Sequence, residues 1–290
     1  MTRESQNGDL PGLIDLHVGC ELGYQAEEET HAITLIEPHS SLQRTIRDER
    51  WEPETPPVRF TDLYGNVGGR LDLQPGATTF AYHATVQISP EPEAMPDERD
   101  LQHWIEDLPA PLLHWLLPSR LVESDLLRDA AWELFGDAPR GAPRLAAICD
   151  WIHENISYGV PSVPSTTVTE IFERRGGMCR DFAHLGVGFC RAMGIPARYV
   201  CGYLPDIGIP GPFPPMDFHA WFEVWLGEGW WTYDARFNMP RIGRVPIARG
   251  RDAVDVAMVT TYGDARLETM KVWADEVGEL QETVAAGGVA

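Results

Sequence analysis

Hydrophobic and polar residues alternate with a period of two through much of the first third of the chain. Such runs occur at residues 32–36 and 80–88, and turn pairs such as Gly65-Asn66 separate them. Short alternating runs between turn residues are typical of antiparallel strands that bury one face. The pattern therefore predicts a small antiparallel β-sandwich over about residues 11–90.

The apolar period changes to 3.6 after a proline-rich, acidic stretch at residues 90–98, which we interpret as a linker. Apolar residues from Leu145 to Ile156 share one face of a predicted helix, and Ser124 is a candidate cap for the helix before it. A capping box, Thr167-x-x-Glu170, predicts the start of a third helix.

Strands are predicted again towards the carboxyl end, where alternation returns. They cover residues 197–203, 220–226 and 230–234, with a further strand near residues 267–277. The fold class is therefore α+β. We divide the chain into a β-rich amino-terminal region, residues 1–95, and a catalytic region, residues 96–290.

One predicted helix places a thiol at its first turn. Gly176-Gly177 interrupts the chain, and a helix with a strong apolar face starts near Cys179 and ends at Gly194. A helix amino terminus carries partial positive charge and free N–H groups, which stabilise a thiolate and can hold an oxyanion. Gly177, without a side chain, would allow a substrate to approach closely.

A base and an orienting acid follow in the order that a cysteine nucleophile requires. His219 begins one predicted strand, and Asp234 ends the next, across a Gly227-Glu228-Gly229 hairpin. Cys179, His219 and Asp234 are therefore a predicted catalytic triad. A turn centred on Glu228 would place Asp234 opposite Phe222, so a shifted turn or a bulge is needed to bring it level with His219.

Other residues near these motifs each have two interpretations. Tyr158 is a candidate oxyanion donor or a rim tyrosine, and Asp181 shapes the pocket or complements the helix dipole. Trp221 lines an acyl-binding groove or packs the hairpin. His184 does not share the face of Cys179 and is interpreted as a packed or capping histidine. Four cysteines are interpreted as core residues: Cys20, Cys149, Cys190 and Cys201.

Charge and cysteine usage narrow the function classes. The 290 residues carry a formal net charge of -21, which disfavours nucleic acid and anionic membranes as partners. The chain has no long apolar run and no signal-like start. Five cysteines without a C-x-x-C pair predict reduced thiols, a cytoplasmic location and no thiolate zinc site.

The motifs together resemble those of bacterial transglutaminase-like proteins, and the region before residue 95 resembles the β-rich segment commonly attached to them. The resemblance implies a papain-like core, with the Cys on a helix and the His and Asp on a sheet. Family members often continue from the Asp as Asp-Pro-Thr, whereas Ala235-Arg236 follows Asp234 here. The matching segments are Gly177–Leu185, Gly194–Tyr203, His219–Val224, Trp231–Asp234 and Gly250–Val256.

The function expected from these residues is thiol-dependent acyl transfer, with hydrolysis of a peptide or related amide bond through a Cys179 thioester favoured. Cross-linking or deamidation of protein glutamine by the same triad is the first alternative. A non-catalytic peptide-binding module is the second, and a partner-docking role for residues 1–95 is a third. No oxygen-rich loop resembles a calcium site, so we expect neither a metal nor a cofactor. The expected partner is a peptide or protein substrate.

Overall fold

The computed structural model describes residues 12–54, 56–97 and 100–278. It is an α+β protein dominated by antiparallel sheets, which confirms the predicted fold class. The helices are α1 (Arg128–Phe135), α2 (Ala142–Asn155), α3 (Val168–Arg174) and α4 (Cys179–Ala192). The strands are β1 (Ile14–Ala26), β2 (Thr30–Thr34), β3 (Ile46–Glu52), β4 (Val58–Thr61), β5 (Val67–Leu73), β6 (Gly76–Ile88), β7 (Ser157–Tyr158), β8 (Gly176–Gly177), β9 (Ala197–Tyr203), β10 (His219–Leu226), β11 (Gly229–Tyr233), β12 (Val245–Gly250), β13 (Val259–Tyr262) and β14 (Ala265–Glu276).

The strands of the amino-terminal region form two four-stranded antiparallel sheets, each of which includes a strand from the carboxyl end. Their orders are β14-β1-β6-β3 and β13-β2-β5-β4. The strand expected near residues 267–277 is therefore present, and it pairs along nearly the whole of β1. The boundary near residue 95 stays a prediction, although both sheets combine residues from either side of it.

The remaining large sheet has the order β11-β10-β9-β12 and packs against α4. Gly186 makes the close approach of this helix possible, because a Cβ there would lie 2.3 Å from the ring of Phe222 on β10. The side chains of α4 are buried from Asp181 to Ala192. A helix that is covered on all sides, including its polar side chains Asp181, His184 and Arg191, is the centre of the core rather than a surface element.

The helices predicted from periodicity are all present, and only the predicted cap of α1 is wrong. The apolar face of α2 is buried, and the capping box of α3 forms, with the Thr167 N–H donating to Glu170 Oε2 at 2.9 Å. Ser124 does not cap α1, so that prediction was wrong. The chain first makes a turn, in which the Leu126 N–H donates to the Glu123 carbonyl, and α1 begins at Arg128. None of the described helices is both long enough and apolar enough to span a bilayer.

His184, in the middle of α4, is buried as a neutral ring. Its Nε2 accepts the Ala253 N–H at 3.1 Å, and its ring lies 4.9 Å from that of Tyr199. This agrees with its interpretation as a packed histidine. Burial, supported by the charges of Arg180 and Arg191, lowers its pKa to about 4 against the opposing charges of Asp252 and Asp181.

We expect this histidine to make the fold sensitive to acid. Its folded pKa lies below its unfolded value of about 6.5, so the unfolded chain takes up the proton first and stability falls as the pH drops below about 6.5. Between pH 7.5 and pH 5 the free energy of unfolding should fall by about 2 kcal/mol on this account. Urea titrations of the wild type and of His184→Gln at both pH values measure it. Equal pH dependence in the two proteins would contradict the assignment.

Candidate active site

Cys179 is the first residue of α4, and the chain before it is fixed by a buried carboxylate. Asp181 Oδ2 accepts the Met178 N–H at 2.8 Å, and the side chain has no exposed surface. Arg180 and Arg174 lie 3.4 and 3.7 Å from its oxygens. Asp181 therefore caps the helix that carries the thiol, in line with the dipole-complementing interpretation.

Gly177 is buried beneath this cap, paired with Tyr158 in the short two-stranded sheet β7-β8. A Cβ at Gly177 would lie 2.4 Å from the Asp181 side chain. Glycine is needed here to make room for the cap, which is a different reason from the substrate approach proposed on the sequence. Any larger residue would move Asp181 and, with it, the start of α4.

His219 lies between Cys179 and Asp234. Its Nε2 and Asp234 Oδ2 are 2.7 Å apart, and the thiol of Cys179 lies close enough to the ring to raise its pKa. The remaining ring nitrogen, Nδ1, is the one available to the thiol. His219 and Asp234 are buried, whereas Cys179 is half-buried. The structure thus brings the three predicted residues together in the expected order of contacts.

The register of the hairpin is shifted by one residue from that of a turn centred on Glu228, which is one of the two possibilities expected from the sequence. Leu226 pairs with Gly229 across a two-residue turn, and Tyr233 rather than Asp234 lies opposite Phe222. Continued by one residue, this register puts Asp234 level with Trp221, diagonal to His219 and on the same side of the sheet. Diagonal neighbours can touch, so this one-residue shift of the turn is sufficient and no bulge is needed in the hairpin.

The surrounding charges stabilise Asp234 as a carboxylate and His219 as an imidazolium. Burial alone would raise the pKa of Asp234, but the charges and hydrogen bonds of His219 and Arg244 hold it well below its usual range. Burial would likewise lower the pKa of His219, yet Asp234 and Cys179 raise it above its ordinary value. Asp234 is therefore a carboxylate at all ordinary pH values, and His219 is stabilised as an imidazolium.

Arg244 is a member of this site that sequence reasoning missed. Its Nη2 donates to Asp234 Oδ2 at 2.9 Å, and its Nε lies 2.8 Å from Glu93 Oε1 in the predicted linker. Its guanidinium carbon lies 4.9 Å from the centre of the Trp221 ring. An arginine in a loop carries no local signal of such contacts, because its partners lie in the linker, in one strand of the hairpin and directly after the other.

The residues after Asp234, where the family pattern is broken, still hold that carboxylate. The backbone N–H groups of Arg236 and Phe237 donate to its Oδ1 at 3.0 and 3.4 Å. The ring of Phe237 lies 5.3 Å from that of His219. With Arg244 on Oδ2, Asp234 accepts four hydrogen bonds, which fixes its orientation and through it that of His219.

Two cavities meet at the thiol and share Cys179, Asp217, Phe218 and His219 in their walls. The smaller, about 270 Å³, is lined by the proline-rich loop of residues 209–216 and by Tyr158, Arg236 and Phe237. The larger, about 790 Å³, runs between β1, β14 and residues 253–260. Asp217, to which the sequence gave no role, lies where they join, and burial raises its pKa.

The other sequence candidates occupy different places. Tyr158 is 46% exposed and lines the smaller cavity, with the Arg236 guanidinium 3.9 Å from its ring. Trp221 is 1% exposed and packs against His219, so it supports the base instead of lining a groove. The oxyanion role of Tyr158 stays a prediction. The other cysteines, Cys20, Cys149, Cys190 and Cys201, are buried, and burial raises the pKa of each.

The sequence and the fold are similar to those of known proteins. The family model of the transglutaminase-like superfamily matches residues 129–235. A solved structure from Cytophaga hutchinsonii, described as a candidate cysteine protease, has a TM-score of 0.75 and 30% identity, over 91% of each chain. Within the region that the structure describes, no three His, Cys, Asp or Glu side chains group as a metal site.

Curated relatives agree with this placement. An uncharacterised protein of Mycobacterium leprae is 27% identical over 233 residues, covering 77% of this chain and 82% of the relative. A protein-glutamine gamma-glutamyltransferase of Pseudomonas aeruginosa is 28% identical over 149 residues, which are 42% of this chain and 22% of that enzyme. The family match and the shared fold show that the protein belongs to the transglutaminase-like superfamily.

Proposed function

We propose that the protein is a cysteine hydrolase that cleaves a peptide or related amide bond through an acyl-enzyme at Cys179. The observation that carries this proposal is the chain of contacts from the half-buried thiol through His219 to the buried carboxylate of Asp234. A catalytic thiol needs a base that a third group orients, and His219 held by Asp234 is such a base, whereas a cysteine that only packs in the core needs none. The thiol also opens on cavities large enough to receive a chain.

The geometry supports the following chemistry. The Cys179 thiolate attacks the amide carbonyl, and N–H groups at the start of α4 stabilise the oxyanion. His219 gives its proton to the amide nitrogen, the C–N bond breaks and an amine leaves a thioester behind. A water molecule then gives a proton to His219 and attacks the thioester, which releases a carboxylic acid and restores the thiolate–imidazolium pair.

Water is favoured over an amine as the acceptor. The structure described as a candidate cysteine protease covers 91% of this chain, whereas the similarity to the glutamyltransferase covers 42%. The amine alternative uses the same thioester, so it differs only in the second step. A small primary amine can therefore serve as the competing acceptor in a test.

The test follows the fate of the acyl group. The wild type is incubated with a peptide pool and an excess of a small primary amine, and products are identified by mass spectrometry. We expect new carboxyl termini or free carboxylates that are absent with Cys179→Ala. Amide products formed with the added amine would favour transfer over hydrolysis.

Thiol alkylation separates an enzyme from a non-catalytic binding module. Iodoacetamide near neutral pH should modify Cys179 faster than the four buried thiols, and His219→Ala should slow that reaction. If Cys179 reacts no faster than Cys190 or Cys201 in the folded protein, the hydrolase proposal fails.

A further inference from the structure

A β-bulge in β14 changes the side of the sheet to which residues of that strand point. Leu22 and Tyr24 lie two apart on β1 and point to the same side. Their partners on β14 are Met270 and Leu267, which lie three apart, because the register shifts between Gly23 and Tyr24. A regular strand would send Leu267 and Met270 to opposite sides, so the extra residue turns them to the same one.

The side chains that the bulge brings together line the larger cavity beside the thiol. Leu22, Tyr24, Leu267 and Met270 all belong to its wall, and the wall continues to Cys179. Leu267 and Met270 are 43% and 39% exposed, so they face an open space instead of the packed core. Bulges commonly re-aim side chains next to active sites. The bulge leaves one residue of β14 without a partner in β1, and in return it adds Leu267 and Met270 to the apolar wall of the cavity.

The charged groups of this cavity lie at its catalytic end and are already engaged. Arg180 Nη2 donates to Ser162 Oγ at 2.8 Å and to the Val163 carbonyl at 2.7 Å. Asp217 Oδ1 accepts the Phe218 N–H at 2.7 Å. A charged group that entered the far part of the cavity would lose water without gaining an ion-pair partner, which disfavours it.

We propose that the larger cavity is the specificity pocket of the enzyme, and that it binds an aromatic or branched aliphatic side chain next to the bond that Cys179 attacks. The inference rests on the proposed hydrolase function, since it assigns an occupant to the same cleft. The cavity runs without interruption from the thiol to the apolar wall formed by β1 and β14. A side chain held in it would therefore belong to a residue next to the bond that Cys179 attacks. The paired strands β1 and β14 would thus determine which side chain the enzyme accepts.

The test compares peptides that differ only in the residue on either side of the cleaved bond, with Leu or Phe replaced by Ala, Asp or Lys. We expect kcat/KM to be highest for Leu and Phe. Leu267→Glu and Met270→Glu should lower it for those peptides by about tenfold or more, and for the Ala peptides by a smaller factor. Both positions are partly exposed, so the variants should fold.

The matched control is Leu63→Glu, which makes the same change at a side chain that is 84% exposed and lines neither cavity. Met270→Ala keeps the pocket apolar and should weaken the preference less than Met270→Glu. Equal selectivity in wild type, Leu267→Glu and Leu63→Glu would overturn the pocket assignment. If the wild type reacts with iodoacetamide at Cys179 and hydrolyses peptides without apolar preference, this inference fails while the hydrolase proposal stands; if Cys179 does not react, the hydrolase proposal fails.

Discussion

Asp234→Asn is expected to lower kcat/KM by about 10³–10⁴-fold, although it changes a single atom of the side chain. The two oxygens of this carboxylate act only as hydrogen-bond acceptors. His219 Nε2 and Arg244 Nη2 donate to Oδ2, and two backbone N–H groups donate to Oδ1. The amide of asparagine must turn its NH₂ group towards one of these two pairs of donors, whichever way it is placed.

The consequence for His219 follows from that conflict. If the NH₂ group faces His219, the imidazole loses its acceptor and its orientation, and if it faces the backbone, the chain after Asp234 must move. The raised pKa of His219 also depends on Asp234, so the imidazolium is less stable in the variant and should lose its proton at lower pH. We expect the alkaline limb of the pH–rate profile to move to lower pH.

Steady-state kinetics from about pH 5 to 10 measure both effects, and circular dichroism checks the fold. Asp150→Asn is the matched control, since Asp150 lies nearby on α2 and its Oδ1 accepts an exposed hydrogen bond from Asn238 Nδ2 at 2.7 Å. It should keep nearly full activity. An Asp234→Asn enzyme within tenfold of wild type, with an unchanged profile, would show that Asp234 does not orient the base.

Glu223→Gln is expected to cost about 3–5 kcal/mol of unfolding free energy, the largest stability effect that we expect from a single substitution outside the triad. Glu223 is buried on β10 between two arginines. Arg249 Nε and Nη2 lie 3.0 and 3.1 Å from its oxygens, and Arg198 pairs with its Oε2. Burial would raise the pKa of this carboxyl, but the charges of Arg249 and Arg198 lower it below its ordinary value.

Removing the negative charge leaves two half-buried guanidinium groups without compensation, which is costlier than the loss of the ion pairs themselves. Because the folded pKa is lowered, the wild-type contribution is fully present above the ordinary glutamate pKa and is lost as the pH falls through the folded value. Urea unfolding at pH 7 should show the loss, and acid should reduce the difference between the two proteins.

The control for this variant is Glu52→Gln, which removes an exposed partner of Arg50, 3.3 Å away. Exposed pairs contribute about 0–1 kcal/mol, so its unfolding midpoint should hardly change. Equal effects of the two substitutions would mean that Glu223 is not the counter-ion of this half-buried pair of arginines.

Local patterns in the sequence were sufficient for the elements that carry the triad. The glycine break before Cys179, the apolar face of α4 and the hairpin signal at residues 227–229 are short-range features, and each produced the predicted element. The register was left open, because a Gly-Glu-Gly turn is compatible with two loop lengths. The sequence required a shifted turn or a bulge, and the shifted turn is the one that forms.

Features that join distant parts of the chain could not be read from the sequence. Pairing of β1 with β14, the bulge opposite Gly23, and the contacts of Arg244 with Glu93 and Asp234 all depend on tertiary structure. Periodicity reports which face of an element is apolar, but it does not report the partner of that face. The capping role of Asp181 was open on the sequence for a related reason, since a charge in a first turn serves the helix dipole and a pocket equally well.

The position of β1 between β6 and β14 has a consequence for synthesis on the ribosome. Residues 265–276 emerge nearly 240 positions after the end of β1, so while those positions are translated one edge of β1 has no partner strand. An unpaired edge is a hazard for aggregation in a nascent chain. The same strand supplies Leu267 and Met270, which are synthesised after all three triad residues, so a nascent chain can carry its whole triad before the wall of the cleft exists.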